Sequence, residues 1–398
     1  MDLSHVIECA AIKSLTAVDL PDRGSNQHEL NGGILLRKHF GIAAKTTLPI
    51  SWMLLDEGEA LETEEGIITF YDARAKSAHK TGRSEWRVYY SGDFLSRAVP
   101  GDSLILARLG SSESYLGLVL REGSTAANAA RILFGVEPED SEFDFVDVAA
   151  MRRTHLEFVE RRIIETLGLE PPEEDSPDHE ELVVTEFGEK FPTTMEMSRF
   201  ARSVAGDSFA DPDASLMAWL ETEEGLFRAL EKTIVKKKLD AGFASVDEFV
   251  SYSLSVQNRR KSRMGHALQN HLHFLLQKAG LKFTSQATTE RNNRPDFLFP
   301  GENEYHDPNF PAGSLFVLAA KSTAKDRWRQ ILTEADRIPS KHLCTVQPAI
   351  TPAQTDEMWA QGVVLVLPTP VRATYSPQQQ SQSLCLSEFL DRVSTAQG

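Results

Sequence analysis

The stretch Leu169-Glu170-Pro171-Pro172-Glu173-Glu174-Asp175-Ser176-Pro177-Asp178 constrains the fold more than any other part of the chain. Its prolines withhold backbone donors, its acids repel one another, and no apolar residue recurs at a helical or strand interval, so an extended, solvated connector is predicted. Length agrees with a division here, because 398 residues exceed what one core usually holds and 41% hydrophobic residues suffice for two. The expected organisation is an N-terminal domain over 1–168, an acidic proline-rich linker over 169–184 and a C-terminal domain over 185–398.

The two sides differ in texture. Before the connector, short apolar or alternating runs at 33–36, 67–71, 86–90, 103–108 and 115–120 are punctuated by Gly, Asp, Asn and Pro, which predicts a compact β-rich barrel or sandwich. Helical spacing interrupts it at 125–134 and 146–167. After the connector, apolar residues at intervals of three and four predict helices over 194–204, 214–238, 245–256 and 262–278. Asp240-Ala241-Gly242 closes one of these, and Ser245-Val246-Asp247-Glu248 caps the next. Strands follow at 282–285, 295–299, 315–320, 342–346 and 363–367, with helices at 326–338 and 352–361, while 378–383 reads as a short polar loop. Helices and strands in that order predict an α/β/α sandwich.

Composition narrows the function classes. No apolar stretch approaches the roughly 20 residues that span a bilayer, and Met1-Asp2-Leu3-Ser4-His5 lacks the basic flank and apolar core of a secretory signal, so a cytoplasmic protein is expected. Cys9, Cys344 and Cys385 are odd in number and have no metal-ligand spacing, which argues against a disulfide framework and against a zinc site. A net charge of −16 weighs against nucleic acid, since phosphate binding rests on lysine and arginine. The distribution answers that objection: acids gather at 56–65, 137–147 and 170–181, cations at 74–87, 232–238, 259–263 and 321–329. An acidic protein with a basic cleft is the reading.

The chemistry lies in Arg294-Pro295-Asp296-Phe297 and, after an intervening loop, Lys321-Ser322-Thr323-Ala324-Lys325. Phosphodiester hydrolysis needs a metal to stabilise phosphate charge, a carboxylate to hold it and a cation to orient or acidify the attacking water. Asp296 at the start of one strand and Lys321 at the end of the next meet at one sheet edge, with Lys325 one helical turn on. In this reading Asp296 is the metal ligand. The plain alternative is that Asp296 caps a turn after proline and that both lysines are solvated surface cations.

Two basic segments flank the acid. Asn258-Arg259-Arg260-Lys261-Ser262-Arg263 precedes it, and Lys325-Asp326-Arg327-Trp328-Arg329-Gln330 follows. Arginine reads guanine edges and glutamate accepts from the cytosine amino group, which makes Arg327, Arg329 and Glu334 candidate readers, or else surface ion pairs of an amphipathic helix. Trp328 either stacks on a base or packs in the core, and His306 and Asp307 form a turn before Pro308.

With these residues assembled, the C-terminal half resembles the EcoRII-type restriction endonucleases of the PD-(D/E)xK nuclease superfamily. The likeness runs over about 185–370 and includes Gly242-Phe243-Ala244-Ser245-Val246-Asp247-Glu248-Phe249, the two basic segments, Arg294-Pro295-Asp296-Phe297-Leu298-Phe299-Pro300 and Glu334-Ala335-Asp336. It implies an Mg2+-dependent homodimer that cuts double-stranded DNA at a short CC/GG-type (CCWGG-like) site, with Asp296, Lys321 and Lys325 catalytic. It also implies that Arg327, Arg329 and Glu334, with Arg259, Arg260, Lys261 and Arg263, serve DNA recognition, and that a DNA methyltransferase is the genetic partner. One departure is that relatives often carry a glutamate on the helix before the first catalytic strand, where this chain has Gln269 and His273.

The N-terminal half is similar through Lys80-Thr81-Gly82-Arg83-Ser84-Glu85-Trp86-Arg87 and the β-rich pattern around it. This likeness implies a B3-like pseudobarrel that binds a second DNA site as an allosteric effector, using Lys80, Arg83, Glu85, Arg87, His28 and Lys38. Competing readings are a DNA-binding regulator with a degenerate nuclease domain and a repair or defence nuclease outside restriction.

Overall fold

The computed structural model describes the chain apart from residues 1–6, 22–27, 31–32, 57–58, 76–83, 110–113, 135–142, 147–157, 167–176, 207–209 and 325–326. It divides into two compact units, Met1–Glu173 with Ala349–Thr351, and Glu174–Pro348 with Pro352–Gly398. The division falls inside the stretch expected to be a linker.

The first unit is built on β1 (Ile7–Ser14), β2 (Glu29–Leu30), β3 (Thr46–Asp56), β4 (Glu59–Asp72), β5 (Trp86–Tyr90), β6 (Ser103–Leu109), β7 (Tyr115–Leu120) and β8 (Asp144–Val146). They form one mixed sheet in the order β2-β5-β4-β3-β7-β6-β1-β8, in which only the β3–β7 pair is parallel among the described strands. Helices α1 (Gly33–His39), α2 (Thr125–Phe134) and α3 (Phe158–Thr166) accompany it. The central strands are apolar on both sides: Ile105, Leu118 and Leu120 pack with α2 and α3, while Leu104, Leu106 and Val119 face the cluster around Trp52. Burial on both faces explains why these strands read as continuous apolar runs. Gly117 lies under the Trp52 ring, where an added Cβ would stand 2.3 Å from the indole, so only glycine fits.

Inside this unit Lys13 and Asp19 form an ion pair at 2.7 Å, each 1% exposed. Asp19 Oδ2 also accepts from the Thr16 N–H at 2.9 Å and the Thr16 hydroxyl at 2.7 Å. One expectation fails here: 33–36, predicted as a strand, lies in α1. Four apolar residues cannot report their period, and the helix is held by Arg37, which stacks 4.3 Å over Trp86 and donates to the Ile42 carbonyl at 2.8 Å. Of the helix predicted over 146–167, Val146 instead ends β8 and Phe158–Thr166 is the helix α3, while 147–157 and 167 lie outside the described residues.

The second half of the predicted connector is not extended. Pro177 opens α4 (Pro177–Phe187), with Asp178 and Glu180 in its first turn, and Val183 and Phe187 pack on Met197 and Leu226. Helices α5 (Thr194–Ala205), α6 (Pro212–Ala241) and α7 (Val246–Lys278) follow. The two helices predicted at 245–256 and 262–278 are one, α7, which runs through the basic segment without a break. Arginine and lysine are good helix formers, and Arg260 and Arg263 find acids on α6.

The sheet of this unit comprises β9 (Thr284–Ser285), β10 (Phe297–Phe299), β11 (Phe316–Ala320), β12 (Lys341–Cys344) and β13 (Val363–Val366), in the order β13-β12-β11-β10-β9. β9, β10 and β11 pair antiparallel, whereas β11, β12 and β13 are parallel. Helix α7 packs on β11, and the α/β organisation expected of this half is present. Asp213, 2% exposed near the start of α6, takes the amides of Thr369, Leu386 and Ser387 at 2.9–3.0 Å, and so caps the final helix Leu386–Gln397 from a distance in sequence. The tract predicted as a loop at 378–383 begins inside a short helix, Pro377–Ser381, started by a Ser376–Gln379 capping box.

His342 on β12 is 5% exposed between Phe316 and Phe389, and burial pushes its pKa from 6.5 to about 4. A lowered folded value means that the unfolded chain takes up the proton first. Its contribution to stability is complete above pH 6.5 and is lost as the pH falls towards 4. His342→Phe is expected to remove roughly 3 kcal/mol from the acid-side decline in stability, read by urea unfolding of the second unit at pH 7 and pH 4.5. Identical pH dependence in both proteins would contradict it.

Candidate active site

Asp296 immediately precedes β10, and Lys321 immediately follows β11. Antiparallel pairing of Phe297 with Leu318 brings the two to the same sheet edge. Lys321 Nζ donates to Asp296 Oδ2 at 3.0 Å, and the Ala320 N–H donates to the same oxygen at 2.8 Å. Asp296 Oδ1 accepts from Gln269 Nε2 of α7 at 2.9 Å and from Gln286 Nε2 at 3.0 Å. The carboxylate is 6% exposed, so its direction is set by these donors. Asp296 therefore does not merely cap a turn, and Lys321 is held by it.

A second carboxylate stands in the same field. Burial raises the Glu334 pKa above its ordinary value, while Lys321 and Lys341 pull it down and Asp296 pushes it up. Its Oε2 is buried with no hydrogen-bond partner among the described residues, a costly state for an oxygen unless something occupies it.

Glu334 was expected on a helix over 326–338, but the helix covers only Trp328–Ile331. Beyond it the carbonyls go to side chains instead of to helical amides. Asn293 Nδ2 binds the Thr333 carbonyl at 2.6 Å, and the buried Lys341 Nζ binds those of Ala335 at 3.1 Å and Ile338 at 2.9 Å. Ala335 takes φ +51°, a left-handed conformation unusual for alanine, directly after Glu334. Sequence reasoning found Glu334 as a base reader and missed this neighbourhood. The turn that creates it depends on Asn293, 40 positions before Thr333, and on Lys341, 6 positions after Ala335 and 3 after Ile338.

The remaining predicted residues are placed as follows. Lys325 lies outside the described residues, as do Lys80 and Arg83. Arg327 is exposed at the start of the short helix, and Arg329 Nη2 donates to both carboxylate oxygens of Glu357 at 3.0 Å while the guanidinium stacks 4.8 Å over Trp328. Trp328 is core, 2% exposed. The described arginines of the basic segment are engaged within the unit. Arg263 is 6% exposed, paired with Glu224 and stacked over Phe227; Arg260 pairs with Glu231 at 2.6 Å; Arg259 lies 3.9 Å over Phe191. Arg260 and Arg263 turn towards α6 because it presents the buried acids Glu231 and Glu224 to them. Lys261 is on the same helix, its side chain outside the described residues.

In the first unit, Arg87 Nη2 binds Glu85 at 2.7 Å and Nη1 binds Glu29 at 2.5 Å, and Arg74 binds Glu85 at 2.6 Å. Arg87, then Arg74, hold the Glu85 carboxyl below its ordinary pKa. His28 packs 5.3 Å from Tyr90, and Lys38 is exposed on α1. A cleft of 660 Å³ lined by Thr284, Glu302, His306 and Asp307 contains none of Asp296, Lys321 and Glu334.

The donor set selects among metals. Among the described residues no three His, Cys, Asp or Glu side chains converge. Asp296 and Glu334, one of them with an unpartnered buried oxygen, fit a hard divalent cation that is bound through one or two carboxylates and keeps several waters. No helix among the described residues is long and apolar enough to cross a membrane, and Cys9, Cys344 and Cys385 are free thiols.

Comparison with known proteins gives three results. Residues 227–390, a span that contains Asp296, Lys321 and Glu334, match the family model for the EcoRII C terminal domain. The type II restriction enzyme EcoRII of Escherichia coli is 40% identical over 214 residues, 54% of this chain and 53% of that enzyme, so the chain spans about half the length of the curated relative that it matches. Among solved structures, metal-depleted Ecl18kI in complex with uncleaved, modified DNA aligns at 18% identity with a TM-score of 0.45, over 56% of this chain and 84% of that one. A restriction endonuclease PspGI–substrate DNA complex aligns at 16% identity with a TM-score of 0.43, over 54% and 95%. The resemblance read from the residues holds for the matched span.

Proposed function

We propose that this chain is a type II restriction endonuclease, hydrolysing double-stranded DNA at a short CC/GG-type sequence with Mg2+ bound by Asp296 and Glu334. The observation that carries the reading is the Asp296–Lys321 pair with Glu334 beside it, inside the span that matches the EcoRII C terminal model. When bound, the cation would neutralise phosphate charge and acidify a water. Lys321, aimed by Asp296, supplies a fixed positive charge for the phosphate and for the oxygen that attacks it. Lys325, which follows in sequence, is assigned to complete the active site with Asp296 and Lys321, and Arg327 and Arg329 to contacts with the duplex.

Cutting both strands of a two-fold symmetric site favours a homodimer, and a methyltransferase protecting the same sequence is the expected genetic partner. The first unit is assigned the effector role, as a B3-like module in which Lys80, Arg83, Glu85, Arg87, His28 and Lys38 meet a second DNA copy. What supports this is its β-rich fold and the Glu29–Arg87–Glu85–Arg74 chain on one sheet edge, where phosphate would compete with Glu29 for Arg87. The regulator alternative rested on a missing second carboxylate, a role this reading gives to Glu334, which interacts electrostatically with Asp296 and Lys321.

Plasmid DNA incubated with the protein and Mg2+ should give discrete fragments whose mapped ends share one short sequence, and EDTA should abolish them. A featureless smear or intact plasmid overturns the reading. Glu334→Gln is expected to lower single-turnover cleavage about a hundredfold, the scale of removing one electrostatic element from such a site. Wild-type rates in that variant would remove Glu334 from the site.

A further inference from the structure

Asp296 Oδ1 has two partners, and both are neutral amides: Gln269 Nε2 at 2.9 Å and Gln286 Nε2 at 3.0 Å. Among the described residues, the only cationic side chain bonded to Asp296 is Lys321, on the other oxygen. Gln286 is placed for this with some effort. It follows β9, its own N–H reaches the Asp296 carbonyl at 3.3 Å, and its backbone takes φ +53°, a left-handed conformation rare for glutamine. Strain of this kind persists where the surroundings demand it. Gln269 comes from the opposite direction, on α7.

We propose that Gln286 and Gln269 are positioning residues that fix the Asp296 carboxylate with uncharged donors, so that its orientation is set while its negative charge stays available to a divalent cation. Arginine or lysine at either position would orient the group equally well and cancel that charge. Glutamate would place a second anion on Oδ1. An amide does neither. The inference rests on the nuclease reading, because it assigns these residues to the same site.

Mn2+ alone, titrated calorimetrically into the full-length protein without DNA, tests it. Gln286→Leu removes the donor and is expected to weaken Mn2+ binding at least tenfold, the usual scale for losing a partner of a metal-holding side chain. Gln286→Gly removes the same donor and relieves the left-handed strain, so it should keep full thermal stability and show the same weakening. Gln269→Leu should weaken binding in the same sense. Wild-type Mn2+ affinity in folded Gln286→Gly overturns the proposal and leaves the nuclease reading standing. A wild-type protein that binds no Mn2+ and cuts no DNA overturns both.

Discussion

Asp296→Ala is expected to lower DNA cleavage by about three orders of magnitude or more while binding of the target duplex survives. Four donors converge on this carboxylate, from α7, from the turn after β9, and from the end of β11, so its removal disperses the whole arrangement. Lys321 then loses the acceptor that aims it, and on the proposed reading a divalent cation would lose one of its two carboxylates. Binding should persist because duplex affinity comes mainly from cations along the phosphate backbone, none of which this substitution deletes. Single-turnover cleavage and gel-shift titration separate the two effects. Cleavage retained within tenfold of wild type would displace Asp296 from the centre of the site.

Asp19→Ala is expected to destabilise the first unit by about 3–5 kcal/mol, since breaking a buried pair leaves an ammonium without compensation. Lys13 and Asp19 are each 1% exposed, and the described bonds of Lys13 Nζ go to Asp19 alone, with the Phe143 ring 5.4 Å away. The Thr16 N–H and hydroxyl lose their acceptor as well. The double variant Lys13→Met, Asp19→Ala should recover much of the loss, because an apolar side chain needs no partner in the same space. Hydrogen exchange of the β1 and β6 amides reports this unit separately from the other. A loss under about 1 kcal/mol in the single variant would mean that water reaches Lys13.

The sequence disclosed the acid and the amine but not the company they keep. Asp296 and Lys321 were legible because each sits at the end of an apolar run, and adjacent antiparallel strands bring such ends together whatever lies between them. Gln286 was not, nor was the nearness of Glu334, read only as a candidate base reader, because both depend on left-handed residues, Gln286 itself and Ala335, at positions where no glycine announces a turn. The basic segment misled for a related reason. Charge along a chain says nothing about which face it occupies, and acids 29 and 39 positions earlier, Glu231 and Glu224, draw Arg260 and Arg263 inward. In the first unit the strand edges were readable from punctuation, whereas α1 was not, its four apolar residues fitting either period.

Asp213 bears on how the molecule is made. Its carboxylate waits for the Leu386 and Ser387 amides, which lie 173 and 174 positions further along the chain. A polypeptide still being translated holds this acid with its partners unsynthesised, so the unit with the candidate cleavage centre completes its fold only once Leu386 and Ser387 have emerged. Deleting the segment Leu386–Gln397 thus alters maturation of the centre without touching any residue in it.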